Sequence, residues 1–197
     1  MAAQCRGDAD FLDGVVFGKD EQVLSVARFT HDAPWQSDYT LKDIYYRSVR
    51  ERQVDFLSVH DYLWRWDTDW FWCSRNFGVA RRWARRLLGR ERLNSRHYQQ
   101  WMRWNARLGL THRIEQWQGR HRESVIQDVD IPLQQAAQFL QFLHREIGIL
   151  PIWVCPIRAA EPARPFTLSP LAAGRRYVNF GFWDVVESRT AHPPGHF

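Results

Sequence analysis

The last third of the chain switches between two hydrophobic periods, and this switching restricts the fold more than any other feature. Ser124-Val125-Ile126-Gln127-Asp128-Val129-Asp130-Ile131 has the β-branched content of a strand. Pro132 then opens a helix, as proline does at a first turn, and Leu133, Ala136, Ala137, Leu140 and Leu143 form its buried stripe until Gly148. Leu150 to Ile157 is again strand-like. A Pro/Ala-rich loop from Ala159 to Gly174 leads to a further strand, Arg176 to Trp183. Near the other end, Phe11-Leu12-Asp13-Gly14-Val15-Val16-Phe17 and Gln22 to Phe29 are β-rich runs separated by Gly18-Lys19-Asp20-Glu21, a hairpin signal. Strand, helix, strand, strand, added to an early hairpin, predicts an α+β fold: a mostly antiparallel sheet with helices packed on one side.

Between these parts the sequence reads as helical with one interruption. Leu41 to Gln53 is expected to be a helix, Asp55 to Val59 a short extended run, and Ser95 to Gln118 a second long helix carrying Trp101, Trp104 and Trp117. Arg81, Arg82, Arg85, Arg86, Arg90 and Arg92 interleave with Trp83, Leu87, Leu88 and Leu93. Spacings of three and four put Trp83 and Leu87 on one helical face with arginines around them. A solvated amphipathic helix accounts for that pattern, and so does a patch for a membrane surface or an anionic ligand.

Composition narrows the function by exclusion. With 197 residues, 45% of them hydrophobic and 25% charged, the chain holds enough apolar side chain for a core, and disorder is not its expected state. Cys5, Cys73 and Cys155 lie far apart with no CxxC pair, and no two histidines stand at metal-ligand spacing on a predicted helix, so no metal site is expected. GxGxxG, GxxxxGK[ST], GxSxG and HExxH are all missing from the sequence. No apolar run reaches the roughly 20 residues of a membrane-spanning helix. The net charge of +5 is carried almost wholly by arginine, which raises nucleic acid as a partner, although a GC-rich genome gives the same bias.

Tyr62, Trp64, Trp66, Trp70, Phe71 and Trp72 crowd into eleven residues. Indoles at that density are costly to leave in water, so they are expected to wall a cavity or interface, or else to pack a core.

Several phrases together resemble a known family. Asp10-Phe11-Leu12-Asp13-Gly14, Tyr45-Tyr46, the run from Asp61-Tyr62-Leu63-Trp64-Arg65 to Trp70-Phe71-Trp72, Val125-Ile126-Gln127-Asp128-Val129-Asp130-Ile131-Pro132 and Pro151-Ile152-Trp153-Val154-Cys155-Pro156-Ile157 stand in the order found in the Δ24-sterol reductase (seladin-like) branch of FAD-linked oxidoreductases. The resemblance runs from about Asp8 to Glu187, and its most specific part is the last two phrases with a helix between them. It implies a flavoprotein of the vanillyl-alcohol-oxidase type, in which an N-terminal domain binds FAD and a C-terminal cap covers the flavin and shapes the substrate site. By that comparison residues 1–197 correspond to a single truncated cap domain, with the FAD-binding domain absent from this chain, and such a piece alone is expected to be inactive. The implied substrate is a hydrophobic molecule with a C=C bond or an alcohol, NADPH or oxygen closing the cycle. A cytoplasmic setting follows, with peripheral membrane contact left open and nucleic acid not expected as a partner. The competing expectation is a non-enzymatic module that binds an anionic membrane, a protein or nucleic acid through its Trp/Arg-rich segment.

The resemblance also directs attention to particular side chains. Along the strand ending at Pro132, Ile126, Asp128 and Asp130 point one way and Gln127 and Val129 the other. A carboxylic acid buried beside an apolar substrate has a raised pKa and donates a proton, which makes Asp128 the first candidate for catalysis and Gln127 the alternative if the register is shifted. On the last strand Asn179 and Gly181 share a face with Tyr177 and Trp183, where a small residue lets a flat ring approach, so they are the cofactor-binding candidates. Trp153, Trp64, Trp70 and Trp72 are the candidates for lining the substrate pocket.

Overall fold

The computed structural model describes residues 9–39, 43–70, 79, 81–109, 121–161, 164, 166–168 and 170–188. The chain divides into two compact units. One is built from the segments up to Phe29 and from Glu123 to Val186, the other from Thr30 to Arg122.

The first unit is the expected α+β layer. Strands β1 (Phe11–Val16), β2 (Gln22–Ala27), β3 (His121–Pro132), β4 (Ile152–Arg158) and β5 (Arg176–Ser188) form one sheet in the order β2-β1-β4-β5-β3. The β1–β2 hairpin closes through the Phe17 and Gly18 N–H groups, both donating to the Glu21 carbonyl. β1 and β5 both run antiparallel to β4, with Val16 opposite Ile152 and Ile152 opposite Phe182. Gly14 sits where two strands crowd. A Cβ there would lie 2.7 Å from the Val23 carbonyl oxygen and 3.1 Å from the Val154 side chain.

Residues of period two from four strands make the core: Val16, Val125, Ile152, Val154, Val178, Phe180 and Phe182. Helix α5 (Ala136–Phe142; the numbering of α1 to α4 follows below) covers them with Ala136, Phe139 and Leu140, and Leu143 is buried just beyond it. Two details depart from expectation. Pro132 ends β3 and Leu133 to Gln135 form a turn, with the Gln135 N–H on the Pro132 carbonyl, and the helix starts only at Ala136. Its end widens into a π-helical turn, Leu143–Ile147, closed by Gly148 at φ +71°. Ala137 is exposed, and Phe139 takes the place expected of it, meeting Phe180 edge to face at 5.2 Å.

The second unit is helical: α1 (Tyr45–Glu51), α2 (Val59–Trp64), a 3-10 turn at Asp67–Asp69, α3 (Arg82–Arg92) and α4 (Ser95–Leu108). The extended run expected at Asp55 to Val59 stops at Ser58, because Ser58 caps α2. Its hydroxyl accepts the Asp61 N–H and donates to the Asp61 carboxylate, a reciprocal pair that favours helix over the apolar run. Helix α4 runs to Leu108, with Gly109 following at φ +59°, and the rest of the expected helical segment, residues 110–118, lies outside the described residues. Among the described residues no helix is long and apolar enough to cross a membrane.

Candidate functional site

The two faces of the sheet differ in chemistry because side chains alternate along each strand. Ile152, Val154, Val178, Phe180 and Phe182 point toward α5 and are buried. The opposite face receives the intervening residues: Asp13 and Val15 from β1, Trp153 and Cys155 from β4, Asn179, Gly181 and Trp183 from β5, Asp128 and Asp130 from β3. Trp153 stands directly across from Gly181 and Cys155 across from Asn179. Three contacts fix where β3 lies. The Leu133 N–H donates to the Arg176 carbonyl, the Asn179 amide donates to Asp130 Oδ1 at 2.8 Å, and the Asp128 carboxylate leans over Gly181.

Gly181 is the centre of this arrangement. A Cβ there would fall 2.8 Å from Asp128 Oδ1, 3.2 Å from Trp183 Cζ3 and 3.4 Å from Trp153 Cε3. Only a glycine leaves room for a carboxylate and two indole edges to converge on one point of the backbone. Asp128 is thus placed over the strand, flanked by flat apolar rings. Trp153 is itself fixed by an indole N–H donated to Asp13 Oδ2 at 3.3 Å, and Asp13 is buried. The cluster offers a carboxylate, able to accept or carry a proton, beside surfaces on which a planar ligand can stack.

The structure brings together four of the residues singled out from sequence: Asp128, Asn179, Gly181 and Trp153. Gln127 lies on the other face, level with Val125 and Val129, so of the two catalytic candidates only Asp128 belongs to the cluster. The expectation of a buried acid is not met among the described residues, since Asp128 is exposed and β3 is the last strand of the described sheet. Trp64 and Trp70 belong to the helical unit. Trp64 is exposed, whereas Trp70 is buried, stacked on Tyr98 with ring centroids 5.0 Å apart. Trp70 also holds a left-handed backbone, φ 54°, a costly state for a bulky residue that packing on Tyr98, Leu93 and Val79 maintains. Trp72 lies outside the described residues. Sequence reasoning missed Asp13 and Asp130 as members of the cluster. The signal for Asp13 was a carboxylate inside an otherwise apolar strand.

Polar groups in the helical unit serve a different end. Asp55 accepts from the Ser37 and Tyr39 hydroxyls, with Arg52 alongside, and burial with this bond pushes the Tyr39 phenol well above its ordinary value of 10.0. Arg85 is buried with a guanidinium N–H on the Thr68 carbonyl at 3.0 Å, and burial lowers its pKa against the opposing attraction of the fully buried Asp69.

No established family profile matches the chain, and no solved structure does. Among curated proteins it is similar to the Delta(24)-sterol reductase homolog of Caenorhabditis elegans, 22% identical over 206 aligned residues that cover 94% of this chain and 36% of that protein. This supports a distant relationship, and the chain spans little more than a third of the relative's length.

Proposed function

We propose that this chain is the cap portion of an FAD-dependent oxidoreductase similar to Δ24-sterol reductase, acting on a hydrophobic substrate with a C=C bond or an alcohol and drawing electrons from NADPH. Three things support the reading: the distant likeness to a sterol reductase homolog, the α+β layer, and above all the placement of Asp128 over Gly181 between Trp153 and Trp183. The cluster suits a flavin. Trp153 and Trp183, drawn together over Gly181 with the Asp128 carboxylate, give aromatic surface against which an isoalloxazine ring can pack, and the Asn179 amide, bonded to Asp130, lies on the same strand. A bound flavin supplies the hydride equivalent. The chain's own part is to hold the substrate against that face, to keep water out and to deliver a proton from the Asp128 carboxyl. Covering the exposed Asp128 with ligand and a further domain would provide the desolvation that raises a carboxyl pKa. The proposal includes a cytoplasmic setting, where a nicotinamide donor is supplied.

The test uses the longer protein with its flavin domain. It should be yellow and should bleach anaerobically with NADPH. Asp128→Asn should leave that bleaching nearly unchanged, because flavin reduction does not use the proton, while substrate turnover falls by roughly 10²- to 10⁴-fold. A colourless protein overturns the proposal. Turnover within about threefold of the parent removes Asp128 from the chemistry.

A further inference from the structure

Helices α3 and α4 leave part of their apolar side chain in solvent, although the unit around them has a buried apolar core. In α3, Ala84 and Arg85 face inward, Arg85 at 3% exposure, while Trp83 and Leu87 stand 63% and 76% exposed. In α4 the inward side is Tyr98 against Trp70, and Trp101, Trp104 and Leu108 form an exposed stripe at spacings of three and four, with Trp104 69% exposed. Arg82, Arg86, Arg103 and Arg107 are exposed on the same turns. A helix that buries a guanidinium and leaves indole and leucine in water has its apolar stripe aimed at something outside the chain.

We propose that the outer sides of α3 and α4 form a basic and aromatic surface that docks peripherally on an anionic lipid bilayer. Charge points to the partner: from Arg82 to Leu108 there are eight arginines and a single acid, Glu91. Polyanions other than lipid satisfy arginine equally well, and indoles can stack on bases. Leu87 and Leu108 discriminate, since a phosphate backbone gains nothing from exposed leucine, whereas the headgroup boundary takes Trp, Leu and Arg together. The helices lie in the interface, because neither is long or apolar enough to cross it. The inference goes beyond the cap reading and does not rest on it.

The test is co-sedimentation of the full 197-residue chain with vesicles of equal parts phosphatidylcholine and phosphatidylserine, and with phosphatidylcholine alone. Binding should require phosphatidylserine and weaken with salt as the screening length shrinks toward about 8 Å. Arg86→Glu/Arg103→Glu and Trp83→Ser/Trp104→Ser, each verified as folded by circular dichroism, should both lower the partition coefficient about tenfold or more. Several outcomes overturn the proposal: no binding, equal binding to both vesicles, or variants that bind like the parent. Vesicle binding absent while single-stranded nucleic acid binds through the same residues overturns it in favour of a nucleic-acid surface.

Discussion

The sheet unit and the helical unit both bury apolar side chains, but among the described residues the helical unit also takes Arg65, Asp69 and Arg85 inside, where the sheet takes only Asp13. The sheet buries Val16, Ile152, Val178, Phe180 and Phe182 behind α5 and carries Asp13, Asp128, Asp130 and its indoles on the other face, with Asp128 and Asp130 exposed and Asp13 buried. The helical unit buries Asp69 and Arg85 with Trp70 and displays Trp83, Leu87 and Trp104. The contrast shows that composition does not decide which side of an element faces in. In the sheet, period-two alternation decides it; in α3 the inward side carries Arg85, whose guanidinium meets the Thr68 carbonyl.

Substitutions that leave a buried group without its neighbour should give the largest effects. Phe180→Ala opens a cavity beneath Phe139 and should cost about 3–5 kcal/mol in urea denaturation. Arg85→Met should cost a comparable amount, about 3–5 kcal/mol, because it removes a buried cation whose charge attracts the buried Asp69 and whose N–H meets the Thr68 carbonyl. Adding Asp69→Asn to Arg85→Met should recover part of the loss. If Arg85→Met alone proves neutral, the helical core is held by its apolar groups, as the sheet is, and the contrast dissolves.

A smaller effect is expected from pH. Tyr39 keeps its proton in the folded state well above the ordinary value of 10.0. Its contribution is therefore complete below about pH 10 and is lost as pH rises through the unfolded-state value toward the folded one, at up to about 1.4 kcal/mol per pH unit. The difference in stability between the parent and Tyr39→Phe, followed from pH 8 to 11 (about the range in which free tyrosine titrates), should shrink on the alkaline side. A difference that stays constant would show that the bond to Asp55 carries no linkage. Ser58→Ala removes the cap of α2 and should cost about 1 kcal/mol. Leu87→Ser, on the exposed side of α3, should change stability by less than about 0.5 kcal/mol. A clear loss there would mean that Leu87 packs within the folded chain after all.

The same contrast governs how much could be read from sequence. Alternation assigned Asp128 and Gln127 to opposite faces, and Asn179 and Gly181 to the face away from Val178 and Phe180, as the structure has them. What alternation leaves undetermined is lateral neighbourhood. That Asp128 comes to rest over Gly181, and that Trp153 is fixed by Asp13, depends on strand order and register between segments far apart in the chain. Helical period was less informative. It grouped Trp83 with Leu87, yet it carried no information that Arg85 would turn inward, because that outcome depends on Thr68 and Asp69 from another segment. The start of α5 was placed early because Pro132 suits a first helical turn and also suits the turn that precedes one here.

The position of β3 at the margin of the sheet has a colloidal consequence. Among the described strands it is the last of the sheet, and the edge of a sheet is the kind of template on which identical chains add strand to strand. Asp128 and Asp130, two residues apart on that strand, place negative charge along it, and two copies meeting there would bring these carboxylates together. The acids of the candidate site therefore also discourage self-association, and replacing both by asparagine should make concentrated solutions of the chain prone to assemble through this strand.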